Sequence, residues 1–166
     1  MPAPVAMGKL IDEEELIQFR QLIAIDCNGE TAAFSGGRTL GRYQIAEGED
    51  AVAAGNLLSL PEVPGAMLEA FKDAADLDFG DRLVIALSAG LQAGGEEGPV
   101  QSTGLLIAGN VPWPIADLRV DWSDDPIGEL TQLWAIWKPQ MDDYLARALN
   151  PSGAPSYGVP GDPGIR

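Results

Sequence analysis

The sequence predicts an α+β fold, and three observations predict it. A strand pair with a tight turn stands near the N-terminus, over 19–35. Two helical stretches, 61–75 and 80–93, follow each other with no strand between them. Two further strands, 103–109 and 117–122, then precede a long apolar helix. A regular strand–helix–strand alternation would instead read as a parallel sheet.

Taken in order, residues 1–9 read as an irregular lead, because Pro2 and Pro4 favour an extended path and cannot donate to a ladder. Asp12-Glu13-Glu14-Glu15 can open a short helix, with acid at the positive end of its dipole. Phe19 to Asp26 reads as a strand. Asn28-Gly29 is a tight-turn signal, Thr31 to Ser35 returns as the second strand, and Cys27 falls at the turn. Residues 38–50 show no clear period. Asp50 to Leu58 reads as a short strand running into a turn.

Pro61 to Ala75 carries a helical stripe of Val63, Met67, Leu68, Phe71, Ala74 and Ala75, with Pro64 in the first turn. Leu83, Leu87 and Leu91 recur every four residues, with Val84 and Ala86 beside them and Asp81 available as a cap. Gly94-Gly95 should end that helix, since only glycine turns into positive φ without strain. Strand 103–109 ends at Gly109-Asn110, and Pro112-Trp113-Pro114 makes a rigid connection. Asp117 to Trp122 alternates polar and apolar, which puts Asp117, Arg119 and Asp121 on one face. Asp124 or Asp125 can cap the last helix, with Pro126 at its first position. Ile127, Leu130, Trp134, Trp137 and Met141 form its core stripe, and Pro139 should kink or restart it. The Pro/Gly-rich tail, 149–166, should lie extended on the surface or be partly disordered. The 166 residues thus suit one domain, 1–148, followed by that tail.

Composition excludes several function classes. The formal charge is −15, from 25 acidic and 10 basic residues, which disfavours nucleic acid and anionic membrane as partners. The chain has no histidine, so it cannot build a Ser-His-Asp or Cys-His site. One cysteine, Cys27, permits no internal disulfide and no zinc site of the usual Cys/His type. No metal-ligand spacing and no phosphate-binding glycine loop before a helix is visible, so neither metal nor organic cofactor is expected. The start of the chain lacks the charged lead and long apolar run of a signal peptide, so the cytoplasm is the expected compartment.

Six segments, taken together, resemble a known family. They are Gln21-Leu22 to Asp26, Ala32 to Gly36, Ala54 to Leu58, Ala93-Gly94-Gly95 with Gln101-Ser102, Asp117 to Asp121, and Asp125 to Leu130. Their order and spacing resemble the DUF1028 family, a bacterial family of unknown function placed among the Ntn-hydrolase-like proteins. The resemblance covers roughly residues 19–145. It implies part of a four-layer αββα sandwich, incomplete at its N-terminus, and amide-bond hydrolysis at family level. In such enzymes the chain's free α-amine serves as base for the adjacent side chain. The resemblance places that nucleophile on a segment ahead of this sequence, which begins Met-Pro-Ala-Pro. Pro2 offers a secondary amine but no hydroxyl or thiol. Relatives carry Gly-His near Gly41-Arg42, and a basic loop where this chain has Gly95-Glu96-Glu97-Gly98-Pro99; that change would weaken an anion pocket.

The candidate pocket residues are Asn56, Glu96, Gln101, Ser102, Arg119 and Asp121, with a small-molecule or peptide-like substrate. Asn56 or Arg119 could stabilise an oxyanion. Against this, Asn56 reads equally as a turn residue, Arg119 and Asp121 as a cross-strand ion pair on a solvated face, and Ser102 as a hydrogen-bonding strand residue without an activating base. The reading for this chain alone is therefore non-catalytic. The alternative is a binding or assembly protein derived from the same fold. Uncovered sheet edges would make it a homo-oligomer.

Overall fold

The computed structural model describes residues 1–161 and is α+β, with antiparallel strand pairs and helices. It divides into two compact units, Met1–Gln101 and a second beginning at Ser102. No helix among the described residues is long and apolar enough to cross a membrane.

The first unit opens on a helix, α1 (Ala3–Glu13), where an irregular lead was expected. The prolines do not oppose it. Pro2 is the extended N-cap residue and Pro4 lies in the first turn, where a missing N–H is no loss. Ala3 and Met7 are buried, and Ile11 packs beside them, a four-residue stripe hidden behind the proline signal. The acids expected to start a helix fall elsewhere: Asp12 and Glu13 close α1, and a 3₁₀ turn follows at Ile17–Phe19.

The expected hairpin is present. β1 (Gln21–Ile25) pairs antiparallel with β2 (Thr31–Ser35), from Gln21 opposite Ser35 to Ile25 opposite Thr31. Gly29 supplies the turn's positive φ of 81°. Leu22, Ala24, Ala32 and Phe34 share the face that packs on α1.

Asp26 ties the turn to that helix. Its carboxylate accepts from the backbone N–H of Asn28 at 2.8 Å, of Glu30 at 3.2 Å and of Ala3 at 3.1 Å. It therefore caps α1 from 23 residues away, where Pro2 has no capping side chain. These bonds, led by that from Asn28, hold the Asp26 carboxyl below its ordinary pKa. A depressed carboxyl pKa stabilises the fold above the unfolded value, and that contribution is lost as pH falls through the folded value. Thermal melts should therefore show Asp26→Ala less stable than wild type at neutral pH, with the gap closing on acidification. A gap independent of pH would show that the charge of Asp26 is not involved.

The region 38–50, without a readable period, contains β3 (Gln44–Gly48). It pairs antiparallel with β4 (Ala51–Gly55) across Glu49-Asp50, where Asp50 takes φ 53°. The Gln21 side-chain amide reaches Ser35 Oγ at 3.1 Å and the backbone carbonyls of Gln44 at 3.2 Å and Gly55 at 3.1 Å, joining the two hairpins. α2 (Val63–Asp73) covers β3 and β4 and packs against α3 (Phe79–Gln92). Asp78, not Asp81, occupies the N-cap position of α3. Its buried residues are Gly80, Val84, Ala86 and Gly90 rather than the leucine stripe, because the small side chains let α2 approach closely. A Cβ on Gly90 would come within 2.8 Å of Met67 Cγ. Gly94 and Gly95, at φ 125° and 59°, end α3 as expected.

In the second unit β5 (Thr103–Ala108) pairs antiparallel with β6 (Pro114–Val120). The register shifts after Ile107, where Ile115 is the extra residue of a bulge. Strand alternation buries Leu105, Ile107, Ala116 and Val120 on one face. Onto that face packs α4 (Pro126–Trp137) with Ile127, Leu130 and Trp134. Asp125 caps α4, accepting from Gly128 N–H at 3.1 Å, with Pro126 next. Pro139 restarts the helix: a 3₁₀ turn, Lys138–Gln140, leads into α5 (Met141–Leu149). Trp137 stacks on Tyr144 at 5.2 Å between ring centroids and donates from Nε1 to the Ile115 carbonyl at 3.1 Å. The tail runs along the surface and returns to α5, with Tyr157 beside Tyr144 and under the Arg147 guanidinium, which also donates to the Pro155 carbonyl. The end of the expected tail, 162–166, lies outside the described residues.

Candidate functional site

The six sequence candidates fall into two groups. Asn56 and Glu96 lie in the first unit, where the loop after β4 clasps the loop after α3. Leu58 bridges Glu96, Ser59 N–H donates to the Gly95 carbonyl at 3.0 Å, and Glu97 N–H donates to the Leu57 carbonyl at 2.7 Å. Arg42 braces the first of these loops through the carbonyls of Leu58 (2.9 Å) and Ser59. Leu57 is held at φ 52°, a left-handed conformation unusual for leucine. Asn56 and Glu96 are both exposed here, at the margin of a structural clasp. Arg42 is thus a brace for the backbone. Gln101 is half-buried at the end of the first unit.

Ser102, Arg119 and Asp121 lie together in the second unit. Strand alternation sends Leu105 and Ile107 to the core, so Gly104 and Leu106 face the opposite way. On β6 the same rule turns Asp117 and Arg119 outward, opposite Leu106 and Gly104 respectively. An open cleft of about 530 Å³ lies over this face, lined among others by Ser102, Gly104, Leu106, Asp117, Arg119 and Asp121. Gly104 opposite Arg119 leaves room beside the guanidinium that a side chain would take.

The ion pair on this face differs from the expected one. Arg119 pairs with Asp117, two residues earlier on the same strand, rather than with Asp121. Both contacts are 2.8 Å, from Nε to Oδ1 and from Nη2 to Oδ2. This fork geometry fixes the guanidinium plane. The Asp117 hydrogen bonds, then its charge and that of Asp121, raise the Arg119 pKa above its ordinary value. Arginine is cationic at all working pH values anyway, so the consequence is geometric. Of the five guanidinium N–H donors, Asp117 takes two, and three remain to meet an acceptor in the cleft. Asp117 is not among the six expected pocket residues, although the period of two places it on this face.

The cleft has the parts to hold a polar ligand. Ser102 offers a hydroxyl, but no histidine exists to activate it. No group of three potential metal ligands occurs among the described residues. Cys27, exposed at the first hairpin's turn, lies in the other unit.

No curated protein matches this chain. A crystal structure of protein SPO2555 from Silicibacter pomeroyi, assigned to DUF1028, is similar at 33% identity and a TM-score of 0.74 over 87% of this chain. The match spans 62% of that protein's length. The sequence profile of the family of unknown function DUF1028 matches residues 1–130. On that match, together with the α+β architecture it shares with the crystal structure, this chain belongs to the DUF1028 family.

Proposed function

We propose that the β5–β6 cleft is the ligand-binding surface of an Ntn-hydrolase-like protein, and that this chain does not catalyse amide hydrolysis alone. The observation that carries the reading is Arg119, fixed by Asp117 yet holding spare donors over an open cleft. Such a group suits a carbonyl oxygen developing negative charge, or a carboxylate, on a small amide or peptide-like ligand. Ser102 and Asp121 complete the polar lining. On this reading the nucleophile comes from a segment outside this sequence, residues 1–148 form part of one αββα domain, and the protein works in the bacterial cytoplasm without metal or cofactor.

A turnover assay tests the catalytic half of the proposal. The purified chain, offered a panel of N-acyl p-nitroanilides, should release nitroaniline no faster than buffer. Turnover that Ser102→Ala or Cys27→Ala abolishes would overturn it.

A second reading, a binding or assembly protein, is favoured by apolar residues left in solvent on the strands. Ile23 and Ile25 on β1 and Leu106 on β5 are each about half exposed. Pairing between copies would cover them and give the homo-oligomer expected from sequence. Sedimentation of the isolated chain separates the two: a monomer at micromolar concentration disfavours assembly through these strands.

A further inference from the structure

Beyond the cleft, we infer that a second groove in the same unit, between the end of β6 and the outer side of α4, docks a basic amphipathic helix of a partner protein. The groove encloses about 860 Å³. Arg119 to Trp122 form one wall, and Asp125, Glu129, Gln132, Leu133 and Ile136 form the other.

The inner stripe of α4, Ile127, Leu130 and Trp134, is buried on the sheet. Its outer stripe, Glu129, Gln132, Leu133 and Ile136, follows helical spacing and is exposed. A surface helix normally keeps one face polar, and apolar residues on two faces indicate that both are covered in the working state. Ile136 is 63% exposed and Leu133 36%, and across the groove Trp122 is 74% exposed. An exposed tryptophan beside two aliphatic side chains is the composition of a binding anchor.

Charge selects the occupant. Asp121, Asp125 and Glu129 line the groove, and their hydrogen bonds leave their charges in place: Asp125 caps α4, and Glu129 accepts from Ser123 Oγ at 2.7 Å. The groove's one cation, Arg119, is already matched by Asp117. A second copy seated on this groove by its own groove would set Asp121, Asp125 and Glu129 against the same carboxylates, and an anionic membrane would be repelled as well. A helix with Lys or Arg flanking an apolar stripe satisfies both the carboxylates and the Trp122–Ile136 floor.

The test uses the full chain, labelled with ¹⁵N, and a synthetic amphipathic helical peptide of leucine and lysine. Binding should shift the Trp122 indole and the amides of Asp121, Gln132, Leu133 and Ile136 as one contiguous set, and should weaken with added salt. Ile136→Asp should weaken binding about tenfold or more, which corresponds to about 1.4 kcal/mol. Leu149→Asp, at an exposed site on α5, should leave it unchanged. Near-UV circular dichroism, to which the buried Trp134 contributes among the four tryptophans, verifies that both variants fold. Loss of affinity equal to that caused by Glu13→Gln on α1 would reduce the effect to diffuse charge attraction and overturn the inference. So would shifts located elsewhere, no binding, or concentration-dependent shifts of the same residues without peptide, which would make a second copy the occupant.

Discussion

Leu130→Ala should destabilise the second unit by about 2–5 kcal/mol, the cost of truncating a fully buried leucine. Leu130 has no exposed surface, and it lies between Ile127 and Trp134 on the stripe that seats α4 on β5–β6. The unit is small, so it has few other residues with which to close a cavity. A loss of that size is comparable to the whole stability of a modest domain. Urea unfolding followed by tryptophan fluorescence reads it, because Trp134 and Trp137 both belong to α4. Leu133→Ala, on the exposed side of the same helix, should cost less than about 1 kcal/mol. Equal effects of the two variants would contradict the assignment of inner and outer stripes.

Gly36→Ala should cost about 3 kcal/mol, at the upper end of the range for overpacking. The reason is not φ, since Gly36 is not left-handed; it is the closeness of another strand of backbone. An added Cβ would overlap the Gln18 carbonyl and lie 2.5 Å from Gln18 Cα. Neither side can yield. Gln18 is held by Arg38 N–H on its carbonyl at 2.8 Å, and Gly36 N–H is held by the Arg20 carbonyl at 2.9 Å. Buried Thr39 adds a bond from Oγ1 to the same Arg20 carbonyl at 3.1 Å. Gly37→Ala is the control, because its Cβ would meet only Gln18 Oε1, at an ordinary 3.5 Å. Thermal unfolding should therefore separate two adjacent glycines, with position 37 within about 1 kcal/mol of wild type.

These two positions also mark where sequence is legible. The inner stripe of α4 repeats at three and four residues, so Leu130 could be placed in a core without a structure. The first hairpin was equally open to reading, because Asn28-Gly29 allows little else between two apolar runs. Gly36 beside Gln18 is a tertiary approach, and no local pattern announces it. β3 escaped because Ile45 and Ala46 are the only apolar side chains in Gln44–Gly48; its strand character comes from pairing with β4. α1 escaped because two prolines read as extended chain, although the first turn of a helix tolerates them. Its capping group, Asp26, lies in another element altogether.

The candidate site divides in the same way. A strand's period of two was enough to put Asp117, Arg119 and Asp121 on one face, and the same period across the hairpin adds Gly104 and Leu106. What sequence could not supply was which acid holds Arg119, since Asp117 and Asp121 stand equally far from it along the chain. Nor could it separate Asn56 and Glu96 from that face. Their loops meet through backbone hydrogen bonds between segments about forty residues apart, in the other unit.

The central claim, that the β5–β6 cleft binds its ligand through Arg119, is tested most directly by filling the cleft. Gly104 has no neighbour within 3.4 Å of where a Cβ would stand, and it sits in a strand, so Gly104→Val should fold at least as well as wild type. N-acetylglycine, which offers both an amide carbonyl and a carboxylate, serves as the probe in an NMR titration. Shifts at Gly104, Leu106 and Arg119 are expected in the wild type, with their loss in Gly104→Val and affinity weakened about tenfold in Arg119→Met. Unchanged titration in Gly104→Val and Arg119→Met, or shifts confined to the first unit, would contradict the claim.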